Sequence, residues 1–263
     1  MSPAAGTPSR DRLRAAAEAL VASEHSLALT GAGISVDSGI PDFRSPGGLW
    51  SRFDPMEYAT LQAFLVDPEK VWNMIFELRS VLDSARPNPG HIALARLEEL
   101  GKLACVVTQN VDSLHQDAGS KNVIEFHGNN RRLVCLGCGK VVDSAELAAG
   151  AAESGAEHTV PRCRDCDRVL KPDVVFFGEA IPGDALVRAQ AEASRVGAAL
   201  VVGTSALVAP ANLLPHIASR GGAKVIEVNL EPTELTDSLT DVFLEGSSSE
   251  VLPELVAEVE SLL

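Results

Sequence analysis

The stretch Ser26-Leu27-Ala28-Leu29-Thr30-Gly31-Ala32-Gly33 sets the fold class. Five uncharged residues run straight into two glycines. This reads as a buried strand turning tightly into a helix, where backbone N–H groups and the helix dipole receive a pyrophosphate. The pattern of a short apolar run closed by a Gly, Asn or Ser cluster returns at residues 103–108, 174–177, 198–202 and 224–228. Between these runs, apolar residues recur at three- and four-residue spacing over 11–23, 91–100 and 184–196, the signature of amphipathic helices. Strand and helix in alternation imply an α/β fold, a Rossmann-type parallel sheet with helices on both faces. Val36 stands where G-x-G-x-x-G has its third glycine, so these residues alone leave a purely structural turn open. Gly203-Thr204-Ser205 and Asn229-Leu230, small or polar residues at two later strand ends, favour a dinucleotide site.

Two stretches break the alternation. Residues 131–171 are polar and carry four of the five cysteines, which reads as a small inserted zinc-binding module. Residues 46–86, with PMEYATLQAFLVDPEKVWNMIFELRSVL, read as two or three helices forming a flap beside the sheet. The expected division is a Rossmann-type NAD-binding domain from 1–45, 87–130 and 172–263, with 46–86 and 131–171 as the helical and zinc-binding parts of a small domain. The last 23 residues, from Asp241, read as a strand, a Gly/Ser turn and a closing helix.

With 263 residues, 46% of them hydrophobic, the chain can fill a large core. Its apolar runs stop short of the ~20 residues of a membrane span. The start lacks a basic-then-apolar leader, so a cytoplasmic protein is expected. Acidic side chains outnumber basic ones 36 to 22, a net charge of −14, which opposes direct nucleic-acid binding and suits cationic partners such as lysine-bearing proteins.

Cys135-x-x-Cys138 and Cys163-x-x-Cys166 supply the four thiolates of a closed tetrahedral zinc site. With every position filled by sulfur no water is left to activate, so the metal is expected to be structural. The redox alternative expects a C-x-x-C at a helix start beside a strand, which is not the setting here. Cys105 lies in an apolar run and reads as an inert buried thiol.

Three further groups suit ligand chemistry. Asp42-Phe43-Arg44 sits between Gly39-Ile40-Pro41 and Ser45-Pro46-Gly47-Gly48, as in loops that close over ligands. Gln109, Asn110 and Asp112 end another strand with groups able to grip a carboxamide or ribose hydroxyls. His127, in Glu125-Phe126-His127-Gly128, stands at the junction with the cysteine module; taken alone, a lone histidine is more often structural than catalytic.

Taken in order, GAGISVDSGIPDFRS, TQNVDSLHQDAGS, EFHG, the two C-x-x-C pairs, KPDVVFFGE, GTS and VNL resemble the sirtuin family of NAD-dependent protein deacylases, from about residue 10 to 260, with a bacterial member expected. The resemblance implies a cleft between a Rossmann-type domain and a small zinc-binding domain. It implies that Gly31, Ala32, Gly33 and Ser35 line the phosphate and ribose site, that Asp42, Phe43 and Arg44 lie on the cofactor loop, and that Ile40 walls the nicotinamide pocket. Gln109, Asn110 and Asp112 would hold nicotinamide and its ribose, and Gly203, Thr204, Ser205, Asn229, Leu230 and Ser248 the adenosine half. Val175, Phe176, Phe177 and Gly178 would pair with an extended substrate peptide. The implied reaction is acyl transfer from lysine to ADP-ribose with release of nicotinamide. His127 would be the general base, Asn110 and Asp112 further catalytic groups, NAD the co-substrate and one zinc ion structural. Ile75 and Leu78 stand where relatives that remove acidic acyl groups carry Tyr and Arg, which points to acetyl or longer aliphatic chains. Mono-ADP-ribosyl transfer and a catalytically silent NAD-sensing module are the competing readings.

Overall fold

The computed structural model describes residues 8–43, 47–146 and 159–263. Helix α1 (Arg10–Ala22) starts where the Ser9 hydroxyl accepts the Arg12 N–H, and it buries Leu13, Ala16, Ala17 and Leu20 at helical spacing. It leads into β1 (Ser26–Thr30), buried at every position. After a 3-10 helix, Ala32–Ser38, come α2 (Pro55–Tyr58), α3 (Leu61–Val66), α4 (Pro68–Ser84), α5 (Pro89–Glu99), β2 (Cys105–Thr108), α6 (Leu114–Asp117) and β3 (Val123–Glu125). Strands β4 (Gly128–Cys135), β5 (Val141–Asp143) and β6 (Leu170–Val174) follow. The chain closes with α7 (Gly183–Ala193), β7 (Ala198–Val202), α8 (Leu213–Arg220), β8 (Lys224–Asn229), α9 (Glu234–Ser238), β9 (Val242–Glu245) and α10 (Ser248–Leu262).

The main sheet is parallel throughout, in the order β3-β2-β1-β7-β8-β9. With β4 to β6 set aside this is the doubly wound 3-2-1-4-5-6 order, whose ligand crevice opens beyond the ends of the two central strands, β1 and β7. Side chains alternate across each strand and so feed two cores. Ala28, Val106 and Leu200 pack with α1, α5 and α10 on one face; Leu27, Leu29, Val107 and Ala199 pack with α7 and α8 on the other. A second sheet, antiparallel in the order β5-β4-β6, holds the cysteine module, and α2 to α4 form the expected helical flap. No helix among the described residues is long and apolar enough to cross a membrane.

Two expectations need correction. Residues 174–177 are not a parallel strand of the main sheet. Val174 ends β6 in the antiparallel sheet, and the run beyond it makes a single parallel bridge, Thr60 to Phe177. An apolar run next to a glycine looks the same from sequence in either sheet. The turn after Thr30 leads into a 3-10 helix rather than an α-helix, ended by Gly39 in the left-handed conformation, so its dipole is that of a short element.

At the crevice the turns after β1 and β7 touch backbone to backbone. Gly31 N–H donates to the Val202 carbonyl (3.1 Å) and Gly33 N–H to the Gly203 carbonyl (2.8 Å). A methyl on Gly33 would lie 2.8 Å from Gly203 Cα, and one on Gly203, at φ +57, 2.4 Å from the Ile34 nitrogen. Gly203→Ala therefore combines left-handed strain, worth ~1–3 kcal/mol alone, with a clash against immovable backbone. Thermal unfolding of this variant is expected to begin several degrees below wild type; an unchanged midpoint would contradict the tight contact.

Candidate active site

The polar residues singled out in the sequence converge on this crevice through one hydrogen-bond network. Asn110 Nδ2 donates to the Gly31 carbonyl (3.0 Å) and to Ser35 Oγ (3.1 Å), and the Ser35 hydroxyl donates to Asp112 Oδ2 (2.7 Å). The other Asp112 oxygen accepts the Leu114 N–H (3.0 Å). Burial raises the Asp112 pKa above the usual carboxylate value, opposed by the Leu114 and Ser35 hydrogen bonds. Gln109 Nε2 reaches Thr204 Oγ1 (3.0 Å), and Asn229 Nδ2 donates to the Thr204 carbonyl (3.0 Å), so the ends of β2, β7 and β8 are tied side by side. Ser205 and Leu230 are exposed at these ends, available to a ligand. Ser248, the first residue of α10, is buried with its backbone against Gly90, while Gly246 just before it donates to the Asn229 carbonyl (2.9 Å).

His127 lies where the chain leaves the main sheet for the small one, between β3 and β4. Its Nδ1 is 3.1 Å from the Gln109 carbonyl. A carbonyl only accepts, so Nδ1 carries the proton and Nε2 presents a lone pair. Burial lowers the His127 pKa below 6.5, and the Gln109 hydrogen bond partly offsets this. The neutral base is therefore the resting form at neutral pH. The left-handed Gly128 that follows (φ +81) permits contact with the β6 backbone: a methyl there would lie 2.0 Å from the Asp173 carbonyl oxygen.

On the other side of the cleft, Leu49 N–H and Trp50 N–H donate to the carbonyls of Asp42 (2.8 Å) and Phe43 (3.0 Å). Phe43 stacks on Trp50 (5.3 Å between ring centroids), and Trp50 in turn meets Phe177 (6.4 Å). This aromatic chain brings the Asp42–Phe43 turn beside the 175–178 segment. Arg44 lies outside the described residues. Ile40 is half-buried, held by its N–H to the Ser35 carbonyl (3.3 Å). Val175 N–H donates to the His127 carbonyl (2.9 Å), which sets that segment next to the base.

Sequence reasoning missed a layer beneath these groups. His91 Nδ1 faces the Asn88 N–H (3.4 Å), so its protonated Nε2 points to Ser35 Oγ (3.4 Å). His115 Nε2 meets Thr30 Oγ1 (2.9 Å), whose hydroxyl donates to Thr108 Oγ1 (2.9 Å), and the two imidazoles pack edge to face at 4.9 Å. The signal available was Asn88-Pro89-Gly90-His91, an N-cap followed by Pro at the first helical position; Asn88 caps α5 and also binds the Ile34 carbonyl (2.7 Å).

The four sulfurs of Cys135, Cys138, Cys163 and Cys166 all lie within 4.8 Å of one another. Tetrahedral Zn–S bonds of about 2.3 Å place sulfurs about 3.8 Å apart, and Cys135–Cys166 at 3.4 Å and Cys138–Cys163 at 3.6 Å lie just short of that spacing. The set suits one zinc ion with no open position. For a dinucleotide, the cradle formed by Gly31, Gly33 and Gly203, which any Cβ would fill, is the matching feature.

Comparison with known proteins gives a consistent result. The model of the Sir2 family matches residues 31–210. The "NAD-dependent protein deacylase 2" of Pyrobaculum aerophilum is 47% identical over 94% of this chain and 96% of its own length. A solved Sir2 homologue in complex with NAD superposes with a TM-score of 0.86 at 41% identity, covering 98% of this chain and 96% of that one. Sir2Af2 bound to a myristoylated histone peptide superposes at 0.79 with 40% identity, over 97% and 98% of the two chains. The curated relative is archaeal, where the sequence reading expected a bacterial member.

Burial pushes the His91 pKa down to about 4 and that of His115 down to about 3, from 6.5. The unfolded chain takes up these protons near 6.5 and the folded one does not, so their contribution is complete above pH 6.5 and is lost as pH falls from 6.5 towards 4. The loss is about 1.4 kcal/mol per histidine per pH unit. Unfolding midpoints should drop between pH 7.5 and 5, with a shallower drop in His91→Gln; a flat profile over that range would refute the assignment.

Proposed function

The chain belongs to the Sir2 family, and on that footing we propose that it is an NAD-dependent protein-lysine deacylase, passing the acyl group of a modified lysine to ADP-ribose with release of nicotinamide. The observation that carries the reading is His127: a neutral imidazole with its tautomer fixed by Gln109, set between the glycine cradle and the 175–178 segment. NAD would supply the activated ribose carbon that the acyl oxygen attacks.

This chain's residues then divide the work. Gly31, Ala32, Gly33 and Ser35 receive phosphates and ribose; Asp42, Phe43 and Arg44 form the loop over them; Ile40 walls the nicotinamide pocket. Gln109, Asn110 and Asp112 orient the nicotinamide ribose, with Asn110 and Asp112 held by Ser35. Gly203, Thr204, Ser205, Asn229, Leu230 and Ser248 take the adenosine half. His127 Nε2 accepts a proton from a ribose hydroxyl, the general-base step that makes that oxygen a nucleophile. Val175, Phe176, Phe177 and Gly178 pair with the backbone of the substrate, an acylated-lysine protein.

For the acyl group, the wall is apolar. Phe176 packs in one cluster with Phe64, Trp72 and half-buried Ile75; Leu78 lies one turn along α4, and Arg79 is paired with Asp83 on its own helix (3.3 Å). Such a wall favours acetyl or longer aliphatic chains over acidic ones, in keeping with the myristoylated ligand of the solved neighbour. Domain limits of 1–45, 87–130 and 172–263 for the NAD-binding domain, with 46–86 and 131–171 as the small domain, follow the division into two sheets except that the boundaries at 130/131 and 171/172 fall inside β4 and β6. A cytoplasmic location fits cysteines grouped for metal rather than for disulfides.

Incubating an acetyl-lysine peptide with and without NAD, beside His127→Ala, and weighing the products tests the assignment. Free lysine and O-acetyl-ADP-ribose should form only with NAD and fall at least ~100-fold in the variant; a peptide left acetylated beside an ADP-ribosylated protein would instead establish ribosyl transfer. Because burial lowers the His127 pKa, the acid limb of kcat/KM should lie below pH 6.5. A limb above that value would assign the base elsewhere.

A further inference from the structure

Among the described residues Lys171 is the one cation with almost no solvent contact, 3% exposed. It precedes Pro172 on β6, and its side chain turns back under the segment that follows. The ammonium donates to the carbonyls of Pro172 (2.9 Å) and Val174 (2.6 Å), contacts Glu179 Oε2 (3.1 Å) and sits 4.5 Å above the Phe176 ring. An ammonium has three protons, and three acceptors surround it. The same Glu179 oxygen accepts the Phe176 N–H (2.7 Å), and the Glu179 N–H returns to the Phe176 carbonyl (3.0 Å). Residues 174–179 are thus closed into a loop around one ion pair in which the lysine is buried and the glutamate partly so.

The outer side of this loop has few restraints. Val175 N–H binds the His127 carbonyl, Phe177 N–H the Ala59 carbonyl (2.8 Å), and Leu61 N–H the Phe177 carbonyl (3.1 Å). Among the described residues no regular strand pairs with the run beyond Val174, so its extended conformation depends on these single bonds and on what holds it from within. A buried pair contributes little net stability once desolvation is counted; its better-attested use is to select one conformation.

We infer that Lys171 and Glu179 are positioning residues, which hold residues 174–177 in the extended register that receives the acyl-lysine peptide and hold the Phe176 ring against the apolar wall. The peptide in this statement rests on the deacylase reading; the hold on the segment does not.

The test uses the full-length, zinc-loaded enzyme and two variants. Lys171→Met keeps the stem and removes the charge; Glu179→Gln keeps an acceptor for the Phe176 N–H and removes the pair. Amide hydrogen exchange over 174–179 is expected to speed up about tenfold in Lys171→Met, with the β4–β5 pairing unchanged. KM for an acetyl-lysine peptide should rise about tenfold in Lys171→Met and about threefold in Glu179→Gln, with KM for NAD within about twofold of wild type. Should Lys171→Met fail to fold, Glu179→Gln carries both measurements. Unchanged exchange overturns the inference, as does an equal rise in both KM values, the mark of general structural loss. A wild-type enzyme that leaves the peptide acylated removes the deacylase reading, while exchange still decides whether the pair holds the segment.

Discussion

The site depends on the contact between two pieces of backbone with no side chain between them. Where β1 and β7 end, Gly33 donates to Gly203 at 2.8 Å, and neither position has room for a Cβ. This contact lies at the topological switch point, where the strand order reverses and the connections leave to opposite faces of the sheet. Because the turns meet so closely, the ends of β2 and β8 can be joined to them by single side chains, through Gln109 to Thr204 and Asn229 to Thr204. A floor that a ligand can approach at backbone distance follows from the missing side chains.

His127 shows how topology tunes a common residue. It sits between the last paired residue of β3 and the first of β4, so its backbone is restrained by both sheets, and its ring is held by a carbonyl from the end of β2. The carbonyl sets the tautomer and burial keeps the ring neutral, the combination a general base requires. In the layer below, the Asn88 N–H fixes the His91 tautomer so that Nε2 donates to Ser35, whose hydroxyl is then free to point at Asp112, while His115 meets Thr30.

The cysteine module is continuous with the cleft. Cys135 and Cys163 share a hydrophobic cluster with Phe64, Trp72, Leu170 and Phe176. The thiolate site therefore braces the apolar wall from behind, and Lys171, next to Leu170, fixes its front edge through Val174 and Glu179. The cysteine cluster, the helical flap and the segment after β6 form one packed unit.

The local features were legible in the sequence because they obey local rules. Apolar runs ending in glycine or asparagine marked β1, β7 and β8; helical spacing marked α1, α5 and α7; two C-x-x-C pairs marked the candidate metal site; ordered motifs around Gly31, Gln109, His127 and Gly203 marked the cleft. Which sheet a run joins is a non-local matter. Residues 174–177 read as another parallel strand of the main sheet, yet Val174 ends the antiparallel sheet and Phe177 makes only one bridge, to Thr60, since the pairing partner is decided by where the chain has already gone. The roles of His91, His115 and Lys171 were equally hidden. A histidine or lysine declares its chemistry only through what surrounds it, and those neighbours, Ser35, Thr30 and Glu179, are brought up by the packing of distant or returning segments. Residue type and spacing determined the elements and the ligand sets; the tertiary structure alone decided tautomers, burial and the side of the cleft each group faces, because these are set by contacts that the chain makes with itself only once folded.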